Sequence, residues 1–508
     1  MKHQKLYERL MEIALQRSFL IPSFEIYGSI SGFYDYGPVG CLMKKKIEDY
    51  FRKFFIKSEG FFEIETSTVL PSVVLEASGH AKNFVDPLIR CKACSSEFKA
   101  DEFLDQKKLE ASGWNSPEEL LPLLKKEGIA CPACGGEFES KGWFNLMFKT
   151  NIGPVEGNTG YFRPETAQGI FLDFSRIFRN HGTKLPICVG QIGKSFRNEI
   201  SPRKGILRLR EFTQMELEYF FDPRSPTIEK FSQVETEQIR IMVAGSDRIQ
   251  KMSAAEAVRK GIIPNEIMAY FMVRQTQFYT SLGIPYEKFY FKKMGKKDTP
   301  HYSAGNFDLE IETSFGVIET IGNAYRTDFD LSSHSSKSGV DLRVYVNHNN
   351  PNEAKEGKEN ERKIIPHVVE PSMGLDRLFW CILEHTFREK GNKKDWAWFD
   401  FPPVIAPYSC AVYPLMRRDG LSEKALDLLG NLRAEGLDVI YTESGSIGRR
   451  YARADEIGIP YCLTIDYDTL KDDTVTIRYR NDGKQERIKV GEVYSTIIRN
   501  IKEGRVTL

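Results

Sequence analysis

At 508 residues the chain exceeds what one hydrophobic core organises, so two or three domains are expected. Apolar residues at 41%, with 34 Phe and 22 Tyr, exclude a disordered chain. Lys and Arg number 71 against 70 acidic residues, a net charge of +1 that excludes a global field for nucleic acid and leaves only local patches for any RNA contact.

The N-terminal MKHQKLYERLMEIALQRSFL reads as a charged amphipathic helix. No run of 18 apolar residues occurs anywhere, so a cytoplasmic protein without a membrane span is expected. Residues 38–57 open with a helix-compatible proline and carry Leu42, Met43, Ile47, Tyr50, Phe51, Phe54 and Phe55 at helical spacing, predicting a long helix. GFFEIETSTVLP then reads as a strand ending at Pro71. Residues 85–150 break this pattern as an inserted subdomain would, with clips at Cys91, Cys94 and Cys131, Cys134 around a charged helical stretch. Two-residue spacing lets each clip bind one tetrahedral ion, and four thiolates leave no open coordination position, which predicts structural rather than catalytic zinc. A redox role would need one clip at a helix start, not two.

Residues 160–220 read as largely strand-like, and 222–290, including VETEQIRIMVAGSDRI and NEIMAYFMVRQTQFYTSLG, as helical. Strands resume at 306–321 and 364–370, separated by an exposed polar loop at 347–363, and LDRLFWCILEHTF follows as a helix. Beyond the prolines of FPPVIAPY, strand-like and helical runs alternate to the end, as in a small α/β domain.

The chemistry concentrates in GQIGKSFRNEISPRKGILRLREFTQMELEYF, where two strand-like runs around SPRKG predict an antiparallel hairpin. In the second run Leu207, Leu209, Thr213, Met215, Leu217 and Tyr219 share one face, and Arg208, Arg210, Phe212, Gln214, Glu216 and Glu218 the other. Arg197 and Glu199 share a face in the first run. Arginine forks match phosphates, an aromatic ring stacks on a base, and carboxylates hold an ammonium or magnesium. Cross-strand ion pairs on a solvated face would give the same alternation, so these residues alone leave both readings open. HVVEPSMGLDRLFW places Glu370 and Ser372 at a strand end, Gly374 in a turn permitting close backbone approach, and Arg377 in the first turns of a helix. YFRPETAQGIFLDF sets Arg163 and Glu165 ahead of a helix opened by Thr166. Both also read as ordinary capped helix starts.

The helix and strand ending at Pro71, FRNE through REFTQMELEYF, and GLDRLFW resemble motifs 1, 2 and 3 of class II aminoacyl-tRNA synthetases, in that family's order. YDYGP (34–38), EASGH (76–80), RPETAQG, FRNEISPR, EPSMGLDR and SIGRRYARADEIGIPYC resemble, more narrowly, the dimeric type of glycyl-tRNA synthetase. The resemblance covers nearly the whole chain outside 222–300. It implies an α+β fold with a class II antiparallel sheet and flanking helices over 1–84, 151–221 and 301–400. A zinc-clip insertion at 85–150, a helical insertion at 222–300 and an α/β anticodon-binding domain at 401–508 complete it. Implied partners are glycine, ATP with Mg2+, tRNA(Gly) and a second copy of the chain, with no membrane.

Carried over residue by residue, the resemblance implies Arg197 and Arg377 as catalytic. Arg197, Asn198 and Glu199 would hold the α-phosphate region, Arg208 and Arg377 the outer phosphates, and Phe212 the adenine. Leu207, Leu209, Arg210, Glu211, Gly374, Leu375 and Asp376 would complete the nucleotide site, with Glu319 and Thr320 beside the metal. Glu165, Glu216 and Glu370 would surround the substrate ammonium together with Ser372. Thr213, Gln214, Met215, Pro371, Met373 and Gly374 would fill the pocket, so that crowding rejects a β-carbon. Lys99 stands where arginine is expected, which leaves open whether it touches substrate or tRNA. Arg449, Arg450 and Arg453 at helical spacing, with Arg417 and Arg418, would face the anticodon stem-loop. A catalytically silent regulatory homologue and a class II enzyme for threonine, serine or proline are the alternatives. Arg197, Phe212 and Arg377 argue against the first, the three glutamates against the second.

Overall fold

A computed structural model describes residues 2–508 except 107–115, 155–156, 183, 203–204, 244, 247, 296–298, 301, 348–360, 390 and 392–393. Among the described residues nine strands form one sheet: β1 (Phe62–Glu63), β2 (Ile187–Phe196), β3 (Glu211–Phe221), β4 (Gln238–Met242), β5 (Ile249–Ser253), β6 (Phe289–Lys293), β7 (Asn306–Thr313), β8 (Gly316–Thr327) and β9 (His367–Gly374). Their spatial order is β5-β4-β6-β7-β8-β9-β3-β2-β1, antiparallel except at β4/β6 and β2/β1. Thus β9 sits beside β3 although the two are far apart in sequence.

One face of the sheet buries Met215, Leu217 and Tyr219 of β3 with Ile321 and Met373. The helices α1 (Lys2–Gln16), α2 (Pro38–Phe51), α4 (Glu266–Ser281) and α5 (Leu375–Thr386) contribute to that same core. On the other face α3 (Ala167–Asn180) packs Phe171 and Phe174 over Phe220, the last pair stacked at 4.1 Å. α2 starts at its proline and gives way to a π-helical turn, Arg52–Lys57. Its first turn rests directly on the chain at Ser18 and Phe19: a Cβ on Gly40 would stand 1.9 Å from the Phe19 carbonyl oxygen.

Three sequence expectations are corrected. GFFEIETSTVLP is not one strand, because Phe62–Glu63 joins the central sheet while Val69–Pro71 pairs with Thr159–Phe162 in a separate one. Between them the Thr66 carbonyl and hydroxyl accept from the Arg163 guanidinium, both at 3.0 Å, instead of joining a ladder. The insertion over 222–300 is mixed rather than helical throughout: Ala254–Arg259 and Glu266–Ser281 are helices, but β4, β5 and β6 extend the central sheet past β7. Ile239 and Ile241 are fully buried at alternate positions, a period of two that the Glu- and Gln-rich flanks masked. The hairpin of β2 and β3 exists, yet its second strand begins only at Glu211, and Gly205–Leu207 is a 3-10 turn. There the Arg210 N–H donates to the Gly32 carbonyl oxygen (2.9 Å), which diverts the chain from the ladder. Of the expected SPRKG turn, 203–204 lie outside the described residues, as do 348–360 of the expected polar loop.

The clips lie beside a three-stranded sheet, Val85–Cys91, Glu97–Lys99 and Phe138–Asn145. The C-terminal sheet, β10 (Cys410–Pro414), β11 (Val439–Tyr441), β12 (Tyr461–Ile465), β13 (Thr474–Tyr479) and β14 (Gln485–Lys489), has the order β11-β10-β12-β13-β14. It packs with α6 (Leu421–Ala434) and α8 (Val493–Glu503) in a core of its own. A buried knot joins it to the preceding segment, where Asp455 of helix α7 (Ile447–Glu456) accepts from both Arg478 nitrogens at 3.0 Å and from Lys394 Nζ at 2.6 Å. The charges are paired, as burial at such depth requires.

Candidate functional site

The alternation along β3 sends Thr213, Met215, Leu217 and Tyr219 towards the core and Phe212, Gln214 and Glu216 into a cleft of about 470 Å³, a volume suited to a small-molecule ligand. β9, β8, the loop after β2 and the start of α5 complete its walls.

One half of the cleft is built from arginines. The Arg197 guanidinium lies between two rings, 5.4 Å from the Phe84 centroid and 5.1 Å from that of Phe212, and its Nε donates to the Pro164 carbonyl oxygen at 3.3 Å. Arg377 is held from behind, donating to the Leu207 oxygen at 3.1 Å and the Glu319 oxygen at 2.8 Å. Burial, and then the nearby Arg377 charge, lower the pKa of Arg208, so two guanidinium groups stand close, Arg208 paired with Glu102 and Arg377 with Glu319 at 3.4 Å. Across from them burial and the charges of Glu319 and Glu310 raise Asp308 to about 8. Cations facing an acid cluster fit a polyanion carried with a divalent cation.

The other half is dominated by acids. Glu216 accepts from the Thr166 N–H at 3.0 Å, Gln214 Nε2 at 2.9 Å and the Ser372 hydroxyl at 2.5 Å. Thr166 therefore does not cap α3 with its side chain; its hydroxyl is turned to Glu216 instead. Glu165 faces His80 Nε2 and Arg326 Nη2, each at 3.4 Å. Arg326, fully buried, also binds Asp330 at 2.7 Å and Glu370. Burial works to raise Glu165, but the facing His80 and Arg326 charges outweigh it and hold its pKa well below the usual range. Burial, opposed by Arg326 and aided by the neighbouring carboxylates, raises Glu370 to about 8. Burial and Glu165 raise Glu216 as well. Three carboxyl groups, Glu165, Asp330 and Glu370, thus share one guanidinium with Glu216 close by, and their excess of negative charge suits a small cation.

Most sequence candidates converge on the cleft: Glu165, Arg197, Glu199, Leu207, Arg208, Leu209, Phe212, Gln214, Glu216, Glu319, Thr320, Glu370, Ser372, Gly374, Asp376 and Arg377 line it. Others do not. The Asn198 N–H is used on the Leu146 carbonyl oxygen (2.7 Å), and Arg210 donates to the Glu199 and Ser31 carbonyls. Glu211 is exposed and pairs with Lys194, whereas Met215, Met373 and Leu375 are core. Pro371 is buried in β9, and Thr213 meets the site only through its N–H. Lys99 lies outside the cleft, its Nζ held by Asp86 at 2.9 Å and Asp101 at 3.3 Å. Glu218, on the same face as Glu216, is buried beyond the cleft. His80, Tyr302 and Asp308 line the cleft without having been singled out, and Arg326 and Asp330 brace it from behind. A signal existed for two of them, since Arg326 and Asp330 stand four apart in YRTDFDL, the spacing of an ion pair.

The four clip cysteines bring their sulfurs within 4.8 Å of one another. Cys91 and Cys134 are 3.5 Å apart and Cys94 and Cys131 3.6 Å, close to the separation that tetrahedral metal–sulfur bonds of about 2.3 Å produce. A Cβ on Gly136 would come 2.8 Å from Cys91 Sγ, so only glycine leaves the thiolates that room. The donor set fits a soft or borderline metal. In the C-terminal stripe Arg449 and Arg453 are exposed, as are Arg417 and Arg418, but Arg450 is not: it is 3% exposed and its Nη1 donates to the Pro414 carbonyl oxygen at 2.6 Å. It braces the end of β10. Among the described residues no helix is long and apolar enough to cross a membrane.

The family model for the class II core domain of tRNA synthetases (G, H, P, S and T) matches residues 154–386, and that for an anticodon binding domain matches 409–500. The chain is 41% identical to the glycine–tRNA ligase of Methanocaldococcus jannaschii across 98% of this chain and 99% of the relative. It is 39% identical to that of Methanothermobacter thermautotrophicus, across 97% and 98%. It is 40% identical to that of Pyrococcus furiosus, across 97% and 98%.

Proposed function

This chain belongs to the glycine–tRNA ligase family, and on that premise we propose that its cleft joins glycine to ATP as glycyl-adenylate and passes glycyl to the 3′ end of tRNA(Gly). The observation that carries the reading is the crowded acidic end, where Glu165, Glu216 and Glu370 with Ser372 offer charge for an ammonium and little volume beside it. ATP occupies the arginine half, Phe212 lying under adenine, Arg197 on the α-phosphate, and Arg208 and Arg377 on the outer phosphates. Magnesium, held by Glu319 and Asp308, would neutralise phosphate charge. The glycine carboxylate attacks the α-phosphorus in line and pyrophosphate leaves, a step that needs positioning and charge stabilisation but no protein nucleophile. Pyrophosphate exchange measured with each of the twenty amino acids is expected to proceed with glycine alone. Comparable exchange with alanine or serine, or none with any amino acid, would overturn the reading.

A dependence on pH follows. Glu370 titrates at about 8 and Glu216 is raised, so at neutral pH the acid cluster retains a proton that an arriving ammonium displaces. The KM for glycine is expected to rise as pH falls from 8 to 6, by up to about tenfold per unit, while kcat changes little. A KM flat across that range would contradict the assignment.

We also read the four thiolates as a structural zinc site within an insertion over 85–150, and 401–508 as the anticodon-binding region, in a cytoplasmic homodimer. Elemental analysis is expected to find one zinc per chain. Chelation should lower the thermal midpoint, because the metal holds together a small core. An apolar tip with Ile26 88% and Tyr27 87% exposed supports a second copy as partner, and light scattering at the monomer mass would refute it.

A further inference from the structure

Tyr36, in the strand Tyr34–Tyr36 just ahead of α2, takes no part in the reaction as described, yet it touches the group on which both halves of the nucleotide site depend. Its hydroxyl donates to Asp376 Oδ1 at 2.5 Å, and Asp376 Oδ2 accepts the Thr213 N–H at 2.6 Å. β9 ends at Gly374, opposite Gln214, so the Thr213 N–H has passed the last rung of that ladder and the Asp376 side chain takes the place of the missing strand. Thr213 follows Phe212 in the chain, and Asp376 precedes Arg377. One carboxylate, 3% exposed, therefore ties the Phe212 end of β3 to the Arg377 start of α5. Both of its oxygens are taken by protein donors.

The donor itself is rigidly seated. The Tyr36 ring meets Phe379 edge-on at 5.0 Å, and a Cβ on the next residue, Gly37, would stand 2.3 Å from the Ser18 carbonyl oxygen. Burial and the facing Asp376 charge raise the phenol pKa well above its ordinary value, which keeps the proton to be donated in place. We propose that Tyr36 is a positioning residue for ATP: by fixing Asp376 it sets the spacing of Phe212 from Arg377. The inference rests on the reading of this half of the cleft as the nucleotide site.

Tyr36→Phe keeps the ring against Phe379 and removes only the hydroxyl. In glycine-dependent pyrophosphate exchange its KM for ATP is expected to rise about tenfold, the scale of one lost hydrogen bond to a charged group, with kcat and the KM for glycine within twofold. Asp376→Asn is expected to impair ATP use by itself, and adding Tyr36→Phe to it should change nothing further. An ATP KM within twofold of wild type overturns the proposal. So does a uniform loss in both KM values and kcat with a lower thermal midpoint, or full additivity in the double variant. Wild-type protein showing no glycine-dependent exchange would overturn the underlying reading and this one with it.

Discussion

Replacing Arg197 with alanine is expected to lower glycine-dependent pyrophosphate exchange by about two to three orders of magnitude, the usual cost of removing one preorganised group that faces developing charge. Sandwiched between Phe84 and Phe212 and tethered by its Nε to Pro164, the guanidinium is fixed before substrate arrives. Its charge needs no reorganisation as negative charge gathers on the α-phosphate. Arg197→Lys keeps the charge but loses the planar fork and the stacking, so it should recover only a small part of the rate. Exchange by Arg197→Ala within tenfold of wild type, in a variant whose thermal midpoint is unchanged, would remove Arg197 from the chemistry.

The second large effect is expected at Arg326, on stability rather than rate. Arg326→Met leaves Glu165, Glu370 and Asp330 buried without their shared cation, and breaking a buried pair in this way costs about 3–5 kcal/mol. Protonation provides partial relief. Glu370 is already raised to about 8, and a carboxyl raised on folding contributes stability that is full below its unfolded pKa and lost as pH rises through the folded one. The defect of the variant should therefore be smallest near pH 5 and grow towards pH 8. Thermal melts at the two values test this, and a defect independent of pH would show that Arg326 acts by packing alone.

Much of the cleft could be read from local pattern. The period of two along Thr213, Met215, Leu217 and Tyr219 against Phe212, Gln214 and Glu216 separates core from cleft without reference to any other part of the chain. The clip spacing likewise carries its own geometry. What could not be read depends on which strands become neighbours. Arg326 on β8 and Asp308 on β7 reach the site only because β9 pairs with both β8 and β3 and the sheet continues to β7. Helical spacing alone groups Arg450 with Arg449 and Arg453, but carbonyl groups at the end of β10 need donors, and the helix turns that arginine inward to supply one. The alternation extends the strand over Arg208 and Arg210 because nothing local shows that residues 31–32 capture the chain there.

The extension of the central sheet by β4, β5 and β6 bears on how this protein can be cut or recombined. β6 covers the outer edge of β7, whose Phe307, Leu309 and Ile311 are fully buried. Excising 222–300 to make a smaller enzyme would turn an interior strand into an open apolar edge, a template for self-association rather than a clean deletion. The segment forms a whole wall of the molecule, and chimeras between relatives should place their junctions outside it.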